Sequence, residues 1–263
     1  MASTTEFIGT IKENVDTILA AKLTTQKVGT IPESAKIPLE GTHWLAVDDV
    51  TCVYADMVGS TRLQIGKSPV DTARAHQIFV DSLVRTYNEY GAQYIDIKGD
   101  GAFGIFVGKT SPVVGLCAAV TFKTICEKIL KSKIPGFTLE THVGIDIKSV
   151  LLKRVGLRGD KQNEVWAGKP VNMAAKLSSM SSPNTIMVSE RVYTVISQAP
   201  YHKYAVMSCG CPKGTPTILW EKKDLQGISH FDFSTAYILK SSWCDTHGED
   251  VCQCLLSAAS KNN

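Results

Sequence analysis

Asp56 closes the apolar run DDVTCVYADMVG (48–59), and Asp100 lies between two short strand-like runs in YIDIKGDGAFGIF (94–106). Two carboxylates presented by adjacent strand ends supply the hard oxygen ligands that a pair of Mg²⁺ or Mn²⁺ ions needs, and such ions serve chemistry on phosphates. The small residues that follow Asp56 leave backbone N–H groups open to phosphate oxygens. A third element is VNMAAKLSSM, where Asn172 and Lys176 stand four residues apart. A helix puts them on one face, where an amide and an ammonium could hold the oxygens of a reacting phosphoryl group. Each feature also has a plainer reading. Asp100-Gly101 is a common hairpin-turn pair, Asp56 could cap a helix or turn, and Asn172 and Lys176 could belong to a solvated face. Asp96 is less ordinary. Strand alternation sets Tyr94, Asp96 and Lys98 on one side and Ile95 and Ile97 on the other.

The elements that must position these residues alternate between the two periodicities. Residues 4–21 predict a helix with Phe7, Ile11, Val15 and Ile18 on one apolar face, either a partner face or a strap across the core. A linker with Pro32 and Pro38 runs to Trp44. The run 48–59 predicts a buried strand. Ser68-Pro69 opens a helix reaching Gly91, and Ser111-Pro112 opens a second one ending near Pro135. FTLETHVGIDI (137–147) predicts a strand, EVWAGKP leads into a helix beginning at Pro170, and TIMVSERVYTVIS supplies a strand and a short helix. KYAVMS and TPTILWEKK read as closing strands. There are no internal repeats and no low-complexity tract. The class is α+β, a mixed sheet with two long helices packed on it.

A chain of 263 residues with 44% apolar and 20% charged residues is an ordinary soluble composition. A net charge of +3 is too small to argue for a nucleic-acid partner, and none is expected. No apolar run reaches the roughly 18 residues of a membrane span. MASTTEFIGTIKENV lacks the basic start and apolar stretch of a secretory signal, so a cytoplasmic location is expected. Eight cysteines are then reduced thiols or metal ligands. Cys52, Cys117 and Cys126 fall in apolar patterns and read as core. Cys209, Cys211, Cys244, His247, Cys252 and Cys254 offer thiolates and an imidazole suited to zinc, although buried reduced thiols account for the same pattern.

Four segments, Tyr54-Ala-Asp-Met-Val-Gly-Ser-Thr61, Lys98-Gly-Asp-Gly101, His142-Val-Gly-Ile-Asp146 and Gly168-Lys-Pro-Val-Asn-Met-Ala-Ala-Lys176, resemble in order the motifs of the class III nucleotidyl cyclases. The resemblance covers about residues 45–225. It divides the chain into an N-terminal helix and linker (1–44), a cyclase domain (45–225) and a Cys/His-containing C-terminal extension (226–263). The N-terminal helix, the lead-in PESAKIPLEGTHW and the tail WCDTHGEDVC resemble more narrowly the bacterial pyrimidine nucleotide cyclases of antiphage defence.

The resemblance implies a homodimer with its sites between two catalytic domains. Asp56 and Asp100 would bind two metal ions, helped by the carbonyl of Met57. Val58, Gly59, Ser60 and Thr61 would cradle phosphates. Asn172, orienting the ribose, and Lys176 would come from the other chain, with Lys176 standing where the family usually has Arg. Arg158 resembles an arginine that holds the triphosphate tail in some members. Lys148 and Lys153 stand where the family often has glycine.

Adenylyl cyclases resemble one another in reading adenine with a Lys four residues before the second metal carboxylate and an Asp or Thr three residues before the glycine of the last motif. Here those positions are Asp96 and Val165, so the adenine-reading pair is absent. Asp96 could accept from guanine, from uracil N3–H or from cytosine N4–H₂. Tyr54, where the first motif usually has Phe, would narrow the base pocket. The resemblance implies a pyrimidine, UTP ahead of CTP, and a cyclic product that acts on a separate effector. Competing readings are a guanylate or adenylate cyclase, a non-catalytic nucleotide-binding homologue, and a palm-type polymerase or diguanylate cyclase relative.

Overall fold

The computed structural model describes residues 3–63, 65–133, 137–157, 159–198 and 200–262. In chain order the elements are α1 (Thr4–Ala20), β1 (Thr24–Val28), β2 (His43–Met57), α2 (Ser60–Leu63), α3 (Pro69–Glu89), β3 (Tyr94–Lys98), β4 (Gly101–Val107), α4 (Ser111–Ile125), α5 (Lys131–Lys133), β5 (Thr141–Gly156), β6 (Gln162–Gly168), α6 (Lys169–Met180), β7 (Thr185–Ser189), α7 (Glu190–Ile196), α8 (His202–Ala205), β8 (Trp220–Asp224), β9 (Thr235–Leu239) and α9 (Gly248–Ser260). They form two compact units. One comprises Met1–Val28, Pro32–Ala46 and Leu151–Ala167, and the other Gly29–Ile31, Val47–Val150 and Gly168–Asn263.

In the larger unit the strand order is β3-β4-β2-β5-β7-β9-β8. The pair β5–β7 is parallel, while β2–β4, β3–β4, β7–β9 and β8–β9 are antiparallel, so the sheet is mixed. Its core lies on one face. Val53, Ala55 and Met57 of β2 pack there with Val143 and Ile145 of β5, Ile186 and Val188 of β7, and the apolar sides of α3 and α4. Ser68 caps α3 by accepting from the N–H of Asp71. Phe79 of α3 meets Phe122 of α4 edge to face at 5.1 Å. Tyr87 lies fully buried over Gly104 and donates to the Val53 carbonyl at 2.9 Å, which fastens α3 to two strands at once. Strand alternation then dictates the other face. It carries Tyr54 and Asp56 of β2, Phe103 of β4, and Gly144 and Met187, which lie side by side on β5 and β7. The helix α6 covers that second face, with Leu177 packed on Met187 and Ala236.

In the smaller unit β1 pairs with β2, and β6 pairs with β5. Arg154 donates to the carbonyl of Ile37 at 3.1 Å, and its N–H to that of Pro38 at 2.9 Å. Lys153 donates to the Gly41 carbonyl and lies 5.9 Å from the Trp44 ring centre, which accounts for a lysine where glycine is common. The capping box of Ser3 and Glu6 starts α1. None of its residues is buried, and Phe7, Ile11, Val15 and Ile18 are exposed, so α1 is not a strap across a core.

Several sequence expectations need correction. The segment 137–147 enters its strand only at Thr141 and continues to Gly156. The linker before Trp44 contains β1. KYAVMS is not a strand but carries most of the single turn α8, followed by a bridge from Met207 to Ile218. Beyond residue 225 lie β9, inserted between β7 and β8, and α9. No described helix is long and apolar enough to cross a membrane.

Candidate active site

The hairpin β3–β4 pairs Lys98 with Gly101, so the connection is the two residues Gly99 and Asp100. Asp96 lies opposite Phe103, and Phe103 lies opposite Tyr54 on the next strand. Directly paired residues share a sheet face, so Asp96, Phe103 and Tyr54 form a row, with Asp56 two residues beyond Tyr54 on the same side. Gly101 makes room for Asp56. A Cβ on Gly101 would stand 2.6 Å from Oδ1 of Asp56 and 2.6 Å from the Ala55 carbonyl oxygen.

The electrostatics of the pair suit a cation. Oδ2 of Asp100 is buried with no hydrogen-bond partner among the described residues. Desolvation first, and the neighbouring charge of Asp100 second, push the Asp56 carboxyl up to about 6, although the Met57 N–H favours its ionised form. Burial and the two aspartates push the Tyr54 hydroxyl up to about 12. Two carboxylates that repel each other, one with an orphaned oxygen, fit hard divalent cations with oxygen preference. Asp56, Asp100 and the Met57 carbonyl are the groups that would hold them. Burial of an unpaired charge is otherwise costly.

Of the expected phosphate cradle, the Val58 N–H is already donated to the Glu140 carbonyl at 3.0 Å. The cradle is therefore left to Gly59 and to Ser60 and Thr61, the first two residues of α2. Asp96 is partly buried, with a side chain 16% exposed, and pairs with Lys98 at 2.7 Å. Val165 lies on β6 and is exposed. Arg158 lies outside the described residues.

Asn172 and Lys176 do lie on one helix, α6, and Gly144 determines how close that helix comes. A Cβ there would stand 1.9 Å from the Ala174 carbonyl oxygen and 2.4 Å from the Ser178 nitrogen, so only glycine lets α6 rest directly on β5. Asn172 is exposed, and Lys176 donates to the His230 carbonyl at 3.0 Å. Among the described residues neither is hydrogen-bonded to Asp56 or Asp100.

Sequence reasoning missed two groups. Phe103 is one, and reading the hairpin register outward from Lys98-Gly101 would have found it opposite Asp96. The other is a charge network beside α6. Arg191 grips the buried Asp146 at 2.7 and 3.2 Å, and Asp232 receives Arg191 at 3.0 Å, Lys169 at 2.8 Å and Lys148 at 3.1 Å. This gives Lys148 its partner. The three cations hold the Asp232 carboxyl well below the usual carboxylate range, against the cost of its burial. A carboxyl with a depressed folded-state pKa stabilises above its unfolded value, about 4, and loses that contribution as pH falls through the folded value. Asp232→Asn is therefore expected to cost about 1–2 kcal/mol at neutral pH. The gap between variant and wild type should close below about pH 4, as read by chemical denaturation across a pH series.

The zinc expectation is sharpened. Sγ of Cys209, Cys211 and Cys244 and a ring nitrogen of His247 all lie within 4.8 Å of one another. Cys252 stands apart, buried and 3.4 Å from the Tyr90 hydroxyl, and Cys254 is exposed on α9, so neither joins this cluster. Cys52, Cys117 and Cys126 are buried in the core, as their patterns predict.

Comparison with known proteins agrees with this geometry. A family model described as "Adenylate and Guanylate cyclase catalytic domain" matches residues 44–211. A uridylate cyclase of Propioniciclava tarda is 33% identical over 84% of this chain and 72% of its own length. A uridylate cyclase of Micromonospora echinofusca is 31% identical over 92% and 81%. Among solved structures, the adenylyl cyclase CyaB from P. aeruginosa superposes with a TM-score of 0.59 at 17% identity, covering 74% of this chain and 95% of that one. The two strand-end aspartates, the helix laid on Gly144 and this span of matched sequence place the chain in the adenylate and guanylate cyclase catalytic-domain family, the class III cyclases, as a nucleotidyl cyclase.

Proposed function

We propose that this cyclase is a uridylate cyclase, converting UTP to 3′,5′-cyclic UMP and pyrophosphate at sites shared by two copies of the chain, and that its product is a second messenger of bacterial antiphage defence acting on a separate effector. The observation that carries the base assignment is Asp96. Its carboxylate stands in line with Phe103 and Tyr54, on the face that bears Asp56, where an adenine-reading enzyme would need a cation. A carboxylate there accepts from uracil N3–H, while Lys98, 2.7 Å away, brings a donor for a neighbouring carbonyl. Cytosine and guanine offer partly matching edges. The naming of the relatives from Propioniciclava tarda and Micromonospora echinofusca favours uracil.

In this reading the ribose 3′-oxygen attacks the α-phosphorus, a new P–O bond closes the ring, and the bond to pyrophosphate breaks. Asp56, Asp100 and the Met57 carbonyl would hold Mg²⁺ or Mn²⁺. When bound, these ions favour ionisation of the 3′-hydroxyl and offset phosphate charge. Gly59, Ser60 and Thr61 donate backbone N–H groups to the phosphates. Asn172 of a second copy orients the ribose, and Lys176 of that copy, released from the His230 carbonyl, meets the developing charge. Lysine does so as a point charge without the bidentate fork of arginine.

The test is product analysis after incubation with each of ATP, GTP, CTP and UTP and Mn²⁺. Cyclic UMP should be the chief product, and Asp96→Ala should lose that preference while still releasing pyrophosphate. Cyclic CMP as the chief product would move the assignment to CTP, and cyclisation of ATP alone would overturn the role given to Asp96.

A further inference from the structure

We infer that Cys209, Cys211, Cys244 and His247 form a structural zinc site that clasps the loop after α8 to the start of α9. The four ligand atoms come from two segments of the larger unit, each ordered independently of the cluster. The first is folded back on itself. The Ser208 N–H donates to the Thr217 carbonyl at 2.8 Å, the Thr217 N–H to Oγ of Ser208 at 2.9 Å, and the Gly214 N–H to the Gly210 carbonyl at 2.7 Å. That fold presents Cys209 and Cys211 together.

The second segment is fixed to α4. Nζ of the fully buried Lys123 donates to Oγ of Ser242 at 2.7 Å. The Trp243 indole donates to Oγ1 of Thr121 at 2.7 Å and the Trp243 N–H to Oγ1 of Thr124 at 3.1 Å. The Gly248 N–H then donates to the Cys244 carbonyl at 2.8 Å, which closes one turn and sets Cys244 beside His247.

The spacing is right for one ion. A tetrahedral zinc with Zn–S near 2.3 Å sets its ligand atoms about 3.7 Å apart. Sγ of Cys211 lies 3.3 Å from Nδ1 of His247, and Sγ of Cys244 lies 4.0 Å from it. Three soft thiolates and an imidazole fill all four positions, which is the closed arrangement of a structural site and leaves none for substrate. The cysteines are free thiols, so no disulfide competes for them. The ion would join two segments otherwise distant in sequence and brace α9, whose Cys252, Leu255 and Ala259 are buried against the larger unit's core.

The full chain, purified without chelator, should retain one zinc per chain by elemental analysis. Cys209→Ser and Cys211→Ser should lose it, while Cys254→Ser, on the exposed face of α9, should keep it. Cobalt substitution of the wild-type chain tests the ligand set without any variant. A tetrahedral thiolate site gives strong visible d–d bands and a sulfur-to-cobalt charge-transfer band. Absence of retained zinc together with a cobalt spectrum lacking the charge-transfer band overturns the proposal. So does equal zinc content in Cys209→Ser and Cys254→Ser.

Discussion

Asp100→Asn should reduce cyclase turnover by about 10³-fold or more and at the same time leave the protein as stable as wild type, or more stable. The first half follows from the removal of one of the two charges that would hold the metal ions. The second half follows from the strain at the site. Oδ2 of Asp100 is buried without a hydrogen-bond partner among the described residues, and the Asp56 carboxyl is pushed up to about 6 by burial and by Asp100. The substitution relieves Asp56 of that neighbour and replaces a buried oxygen that has no hydrogen-bond partner among the described residues. The asparagine amide is nearly isosteric, so the hairpin and its register with β2 should survive. Structural aspartates behave the other way, because a turn or cap residue costs about 1 kcal/mol when neutralised or truncated. Pyrophosphate release, thermal unfolding and Mn²⁺ titration of the same preparation separate the two. Loss of turnover with a retained or raised Tm and weakened Mn²⁺ binding is the expected set. Turnover within about tenfold of wild type would remove Asp100 from the metal site.

The half of the sheet that carries the candidate aspartates was legible because its signals are local. Alternation in YIDIK, the Gly-Asp connection and the Ser68-Pro69 start are each decided within a few residues of chain, and they put Asp96 on its strand face and Asp100 in the turn that follows. Phe103 needed one more step, the pairing register. What sequence could not supply is contact between distant segments. Nothing in the run 226–263 announces that β9 inserts between β7 and β8, since that depends on β7 lacking any other neighbour on that side. The partner of Lys148 was invisible for the same reason, because Asp232 lies in a loop more than eighty residues away. KYAVMS has β-compatible residues but is spent on the α8 turn, with Ala205 accepting from the Trp220 indole at 2.7 Å and leaving only one bridge beyond it. The six-ligand zinc reading was too broad because cysteines on one helix point in different directions. The position of Cys252 on α9 turns it toward Tyr90, while Cys254, two residues on, faces solvent.

The second large effect concerns ownership of the site. Asp56→Asn chains and Asn172→Ala chains should each be nearly inactive alone, yet a mixture allowed to exchange subunits should recover about a quarter of wild-type turnover. If one copy supplies Asp56 and the other Asn172, each mixed dimer holds one site with both lesions and one with neither. Random reassortment makes half of the dimers mixed, which leaves about one site in four intact. The shared site is proposed from where these residues lie. Asn172 is exposed and aimed at no described acceptor, Lys176 is held by the His230 carbonyl, and neither touches the aspartates. A helix fixed as tightly as α6 is by Gly144 is poorly suited to swing across the sheet, because backbone atoms of Ala174 and Ser178 leave it no slack. Bringing a second, equally rigid copy of α6 to the first copy's carboxylates requires only docking. A mixture no more active than its separate components, with mixed dimers demonstrated by differently tagged chains, would show that the two residues serve the same chain's site or none.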